Sequence, residues 1–228
     1  LSAPYIKEHR EERELTVILL VDLSASGEFG TRQQFKKDLI TEICAVLSFS
    51  AIQNNDKIGI IFFTDRIEKF IPPKKGKTHI LRIIRELIEF QPEGRGTDLG
   101  TALKYLTNAI KKRSICFLIS DFQSPNFEDA IKLANKKHDL VALRIQDPGE
   151  SILPDVGLIR MMDPESGQWR LIDTSEKQVR EQFDRNLNLF NRELEALFSR
   201  SGVDAAVLQT NRSYVKPLMQ LFKNRGRK

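Results

Sequence analysis

The sequence predicts an α/β protein: a doubly wound, mostly parallel sheet with one antiparallel edge strand, extended from about residue 150 by a hairpin, a helix and a strand. Three observations carry that expectation. The runs "LTVILLV" (15–21), "IGIIFF" (58–63), "SICFLIS" (114–120) and "DLVALRI" (139–145) are nearly continuous in apolar, often β-branched residues, as strands buried on both faces are. The segments between them repeat apolar residues at helical spacing. One connection, Thr64-Asp65-Arg66, is short enough to return the chain beside the strand it has just left, so "IEKFI" is expected to pair antiparallel.

Taken in order, the first strand is followed by a helix carrying Phe35, Leu39, Ile43, Val46 and Leu47. After the hairpin, Pro72 and Pro73 are expected to stop the returning strand, and Thr78 to cap a helix bearing Leu81, Ile84, Leu87 and Ile88. The loop "QPEGRGTD" precedes a helix marked by Leu99, Leu103, Leu106 and Ile110, with Asp98 placed to cap it. Ser124-Pro125 opens a further helix with Phe127, Ile131 and Ala134. "GLIRMMDPESGQWRLIDT" reads as a hairpin turning at 163–167. Ser175 and Gln178 have the spacing of a capping box, and Val179, Phe183, Leu187, Phe190, Leu194 and Leu197 trace one face of a long helix. "VDAAVLQ" and "YVKPLMQLF" supply a last strand and a last short helix. Residues 1–14 read as a lead-in and 15–228 as one domain.

Composition narrows the function classes. A chain of 228 residues with 40% hydrophobic and 29% charged residues can bury a full core. The net charge of +5 is spread over helices and loops, with only "KNRGRK" concentrated, and no aromatic platform accompanies it. That pattern speaks against nucleic-acid binding. Cys44 and Cys116 each lie in an apolar segment and read as buried thiols of a reducing compartment, so a cytoplasmic location is expected. No run reaches transmembrane length. The start "LSAPYIKEHREERE" is neither a methionine nor a signal peptide, which leads us to expect an upstream segment that could attach the whole protein to a membrane.

In doubly wound sheets, ligands sit outside the carboxyl ends of the strands. Three polar sequences fall there: "DLSAS" after the first strand, "GRGTDLG" before a helix, and "ISDF" after the third buried strand. Asp22, Ser24 and Ser26 alternate, so their side chains point one way from an extended segment. With Thr97 and Asp121 they offer oxygen only, which suits magnesium, or alternatively manganese or calcium. His9, His79 and His138 are scattered and make no zinc motif. Two carboxylates balance a divalent charge, and neutral hydroxyls leave the ion electrophilic enough to take a carboxylate from outside.

These residues resemble the metal-ion-dependent adhesion site of von Willebrand factor type A domains, whose pattern is D-x-S-x-S, a distant threonine and a later aspartate. The resemblance implies that Asp22, Ser24, Ser26, Thr97 and Asp121 hold the ion directly or through water, and that a partner's acidic side chain completes the shell. "EERELTVILLVDLSASGEFG", "NNDKIGIIFFTDRIEKFIPPKKGKTHILRIIREL" and "GRGTDLGTAL" further resemble the bacterial family catalogued as domain of unknown function 58. That narrower resemblance implies a type A fold working with a MoxR-type AAA+ ATPase in protein assembly or remodelling, a chaperone-like role. Gly27-Glu28 departs from the apolar residue many type A domains carry after the second serine, and Glu28 is placed to tune or occupy the site. Arg95, beside Thr97, is placed to steer an acidic group toward it.

The enzymatic rival is a magnesium-dependent phosphatase of the haloacid dehalogenase type with Asp22 as nucleophile. Such enzymes use a second aspartate two residues on as general acid, and here that position is Ser24, which cannot do that work near neutral pH. Gly94, Gly96 and Gly100 lack the Lys-Ser/Thr of a phosphate loop. The expectation is a non-enzymatic, metal-dependent protein-interaction module.

Overall fold

The computed structural model describes residues 14–25, 30–31, 34–162 and 168–226. Strand β1 (Thr16–Asp22) leads through the short antiparallel pair β2 (Gly30–Thr31) and β3 (Gln34–Phe35) into helix α1 (Lys36–Gln53). Strands β4 (Lys57–Phe63) and β5 (Ile67–Lys74) form the expected hairpin, followed by α2 (Lys77–Glu89) and α3 (Leu99–Ala109). Next come β6 (Ile115–Ser120), α4 (Glu128–Lys137), β7 (Asp139–Gln146) and a 3-10 turn at Pro148–Ser151. The remainder is a separate hairpin, β8 (Leu158–Met162) and β9 (Trp169–Asp173), then α5 (Lys177–Ser201), β10 (Asp204–Gln209) and α6 (Val215–Arg225).

The main sheet has six strands in the order β10-β7-β6-β1-β4-β5, all parallel neighbours except β4 and β5. This is the doubly wound sheet with one antiparallel edge that the sequence predicts. The alternation along β1 explains why its sequence is apolar throughout. Val17, Leu19 and Val21 pack with Leu39, Ile43, Ile83 and Leu218 on one side, whereas Ile18 and Leu20 pack with Leu103, Ile131 and Leu197 on the other. Helices α1, α2 and α6 therefore cover one face, and α3, α4 and α5 the other. Strand β1 lies between β4 and β6, where the order of connection reverses, so its carboxyl end opens at the switch point of the sheet.

Several local expectations are corrected. Pro72 and Pro73 do not stop the hairpin: β5 runs on to Lys74. It is the sheet's edge, where missing donors are tolerated, and the pairing skips from Ile60–Ile71 to Ile58–Lys74, so that the prolines sit in a bulge. Gly59 makes that bulge possible, because a Cβ there would stand 2.8 Å from the Pro73 nitrogen and 2.9 Å from the Ile71 carbonyl oxygen. Thr78 lies inside α2, whose N-cap is Gly76 at φ 98°. Ser124-Pro125 precedes rather than opens α4, because Phe122 and Asn126 take left-handed backbone angles. The Ser175–Gln178 capping box does not form; Glu176 is the N-cap of α5, and the Ser175 hydroxyl donates to Asp173 Oδ1 at 2.6 Å. Phe35 and Val46 are exposed, and Ile40 and Cys44 complete the buried stripe of α1 instead. Along α5, Leu194 and Leu197 are buried, while Val179, Phe183, Leu187 and Phe190 stay half-covered. The hairpin turn expected at 163–167 and all but Glu14 of the 1–14 lead-in lie outside the described residues.

Cys44 and Cys116 are both fully buried and unpaired, and burial pushes both thiols up. Among the described residues no helix is long and apolar enough to cross a membrane. His138 is wholly buried at the end of α4, and neither ring nitrogen finds a partner among the described residues. Burial, aided by Lys137 and Arg113, lowers its proton affinity, so the unfolded chain binds this proton more readily than the folded one. Stability from this group is therefore complete above the unfolded histidine pKa of about 6.5 and is lost as pH falls below it. His138→Leu should be neutral or stabilising near pH 7 and should flatten the decline between about pH 7 and pH 5, read from urea melts. An unchanged decline in the variant would place the acid sensitivity elsewhere.

Candidate functional site

Strand β1 ends at Asp22, and the next amide, Leu23 N–H, still bonds the Phe63 carbonyl at 2.9 Å. The Asp22 carboxylate then organises the turn. Its Oδ1 accepts from Ser24 N–H at 2.9 Å, and its Oδ2 accepts from the Ser120 hydroxyl, on the neighbouring strand β6, at 2.6 Å. The Ser120 oxygen accepts in turn from Phe122 N–H at 2.9 Å. Between them Asp121 turns its Oδ1 to Gln123 N–H at 3.1 Å. Two aspartates thus leave adjacent parallel strands at the switch point, each clamped by the backbone two residues on.

The glycine-containing loop is drawn to the same place. Ala25 N–H donates to the Arg95 carbonyl at 3.0 Å, which ties the "DLSAS" turn to it directly. Ser124 bridges from the Asp121 side: its hydroxyl donates to the Thr97 carbonyl and accepts from Leu99 N–H, both at 3.2 Å. Asp98 caps α3 as expected, accepting from Thr101 N–H at 2.8 Å and from the Thr101 hydroxyl at 2.7 Å. At Gly94 a Cβ would come within 2.2 Å of both Thr64 Oγ1 and Asp65 Oδ1, so any larger residue there would have to displace those side chains for the loop to lie against the β4–β5 turn.

The structure brings Asp22, Ser24, Thr97 and Asp121 to one end of the sheet, all buried. Ser26 and Glu28 lie outside the described residues. Arg95 is exposed beside Thr97, and its carbonyl rather than its guanidinium makes the contact with the turn. Burial, and then the charge of Asp121, raise Asp22 to about 7. Asp22 accepts from Ser24 N–H and the Ser120 hydroxyl, and among the described residues no ammonium or guanidinium pairs with it. No group of three or more His, Cys, Asp or Glu suited to a metal occurs among the described residues; the expected set is of another kind, two carboxylates with hydroxyls.

Sequence reading missed Ser120, Lys36, Glu150 and Arg144. Lys36, the first residue of α1, is only 1% exposed. Its ammonium lies 3.1 Å from Asp121 Oδ2 and also pairs with Glu150 in the 3-10 turn after β7. A buried cation at a helix N-terminus opposes the macrodipole and persists only with such partners. A signal for it existed: Lys36 is in phase with Leu39, Ile40, Ile43 and Leu47, a lysine on the apolar stripe. Arg144 had one too, as a charge inside an otherwise apolar strand run. Ser120 and Glu150 had none, because only the strand pairing and the turn bring them in.

Removing the ammonium leaves two buried carboxylates facing each other. Lys36→Met keeps the aliphatic stem, and we expect it to cost roughly 3–5 kcal/mol in urea unfolding in the presence of a chelator. Glu150→Gln should cost less, since that side chain is 23% exposed and Asp121 remains for the lysine. Wild-type stability in Lys36→Met would show that the pair contributes nothing net.

The model for the family described as "Protein of unknown function DUF58" matches residues 1–192. An uncharacterized protein of Mycobacterium tuberculosis, Rv1480, is 26% identical over 227 residues, covering 98% of this chain and 71% of that protein. An uncharacterized protein of Mycobacterium avium, MAV169, is 25% identical over 160 residues, covering 69% of this chain and 94% of its own. Among solved structures, the conserved hypothetical protein BatB from Bacteroides thetaiotaomicron has a TM-score of 0.60 at 16% identity, covering 94% of this chain and all of its own. An aerotolerance-related membrane protein from Bacteroides fragilis follows at 0.58 and 14%, covering 92% of this chain and 99% of its own. At such identities these two speak to fold alone, a mostly parallel sheet of the von Willebrand factor A-like kind. With most of its length matched by the family model, the chain belongs to the DUF58 family.

Proposed function

We propose that the chain is a non-enzymatic protein-interaction module whose docking point is a divalent cation held at the ends of β1 and β6. The observation that supports this best is the burial of Asp22 and Asp121 together, with Asp121 raising Asp22 and no protein cation paired with Asp22 among the described residues. Two carboxylates with hydroxyl neighbours are a donor set for a hard ion, and that set fits magnesium. Asp22, Ser24, Thr97 and Asp121 would hold it, with Ser26 as the remaining hydroxyl of the sequence pattern. The ion would supply one Lewis-acidic position for a carboxylate from a partner protein.

Charge favours that use. Asp22, Asp121 and Glu150, when ionised, carry three negative charges against the two positive charges of Lys36 and Arg144. A divalent ion would turn the net negative charge into a net positive one, and a partner carboxylate would cancel it. Lys36 shares Asp121 with the ion, so the affinity is expected to be modest and to rise when Lys36 is replaced. The MoxR-type AAA+ ATPase implied by the sequence resemblance is the first partner to test. A role at the membrane, through another segment of a longer protein, would accord with the description of the Bacteroides fragilis protein.

Calorimetry with magnesium should show weak to moderate binding by the wild type and none by Asp22→Asn or Thr97→Ala. At about ten times Kd the ion should add ~1.4 kcal/mol of stability. Binding to the ATPase should vanish with EDTA. Equal magnesium affinity in the wild type and both variants would overturn the site, and equal partner affinity with magnesium and with EDTA would overturn the docking role.

A further inference from the structure

Immediately beside Asp121 the surface opens into a cleft of about 470 Å³, bounded by Arg144 and Glu150 on one side and by Phe183, Leu187 and Phe190 of α5 on the other. Its two walls are unusual in complementary ways. The apolar stripe of α5 continues unbroken from Leu197 and Leu194 back to Phe190, Leu187 and Phe183. Only the first two close onto the core; the other three stay half-covered and face the cleft. Facing them, Arg144 is 7% exposed, yet no carboxylate of the described residues forms an ion pair with it. Its Nη1 donates to Asn191 Oδ1 at 2.8 Å, its guanidinium carbon lies 5.0 Å from the centre of the Phe190 ring, and its Nε has no partner. The two carboxylates that share the cleft, Asp121 and Glu150, are both engaged by Lys36.

The guanidinium is attracted by Asp121, Glu150 and Glu195 without forming a direct ion pair, and its idle Nε–H costs free energy that an anion reaching it in the cleft recovers. The apolar wall selects among anions. A free inorganic ion would leave it unused, whereas a peptide segment with an acidic residue next to a bulky apolar one covers both walls. The cleft's volume is within the range of small-ligand sites and suits a segment of two or three residues. We propose that this cleft seats an acidic, leucine-like segment of the partner: its carboxylate pairs with Arg144 while the neighbouring apolar side chain lies on Phe183, Leu187 and Phe190. The proposal rests on the reading of this end of the sheet as a docking point and adds to it a contact that needs no metal.

The probe is a fluorescein-labelled hexapeptide alternating acidic residues with leucine, compared with the same peptide carrying the corresponding amides. Both are titrated into the full chain by anisotropy, with magnesium and with EDTA. The acidic peptide should bind and the amide peptide should not. Arg144→Met should weaken binding by about tenfold or more, the loss of one charge-assisted hydrogen bond. Leu187→Ser, on the half-covered stripe, should weaken binding with little effect on folding, and it carries the test alone if Arg144→Met fails to fold. Binding that needs magnesium but ignores both variants would overturn the cleft and leave the metal reading standing. Binding that is lost in the variants but equal in EDTA would support the cleft as a contact that needs no metal, and calorimetry with magnesium then tests the metal reading separately. Equal binding of the amide peptide, or no binding of either, would overturn the proposal.

Discussion

Two carboxylates buried at the ends of adjacent parallel strands repel each other, and the surrounding structure is arranged around that repulsion. Strands β1 and β6 run in register, so whatever follows Val21 and Ile119 emerges side by side. What emerges is Asp22 beside Ser120, with Asp121 the next residue beyond. Neither is left to water: Asp22 is held by Ser24 N–H and the Ser120 hydroxyl, Asp121 by Gln123 N–H and the Lys36 ammonium. Apart from the Lys36 ammonium, which reaches in from α1, the donors are backbone groups of the same turns or the short Ser120 side chain, so the carboxylates are positioned before any ligand arrives. Lys36 then couples the site to two further elements, since it begins α1 and reaches the turn after β7 through Glu150.

This arrangement is asymmetric. Asp121 has a resident cation and, among the described residues, Asp22 has none; burial and then the charge of Asp121 raise the proton affinity of Asp22. The imbalance can be relieved by a proton, by an external cation, or by both in different conditions. A doubly wound sheet supplies the setting. Its helices seal both faces from water, while the reversal of strand order at β1 prevents any helix from covering the strand ends.

The loops that complete the site depend on small and capped residues. Gly94 lets the 91–98 loop lie on the β4–β5 turn, Asp98 starts α3 in the direction that keeps Thr97 inward, and Ser124 fastens that loop to the turn after β6. Left-handed angles at Phe122 and Asn126 allow the chain to double back between β6 and α4; the angle is uncommon for a residue as bulky as phenylalanine, and the Phe122 ring is buried against Phe198.

The sequence by itself determined the strand and helix order, the both-faces burial of β1, β4, β6 and β7, the antiparallel edge, and which of its serines, threonines and aspartates fall at strand ends. Those properties follow from local periodicity, which each segment carries alone. It misjudged the prolines of β5, the start of α2 and the cap of α5, because an edge position, a left-handed glycine and a competing Asp173 contact outweighed local propensity. Only the tertiary structure decided that Lys36 pairs with Asp121 and Glu150, that Ser120 serves Asp22, and that part of the apolar stripe of α5 remains open before Arg144, whose Nε has no partner. These partners are separated by up to 114 residues along the chain. Their encounter is set by strand order and helix docking, which no local pattern encodes.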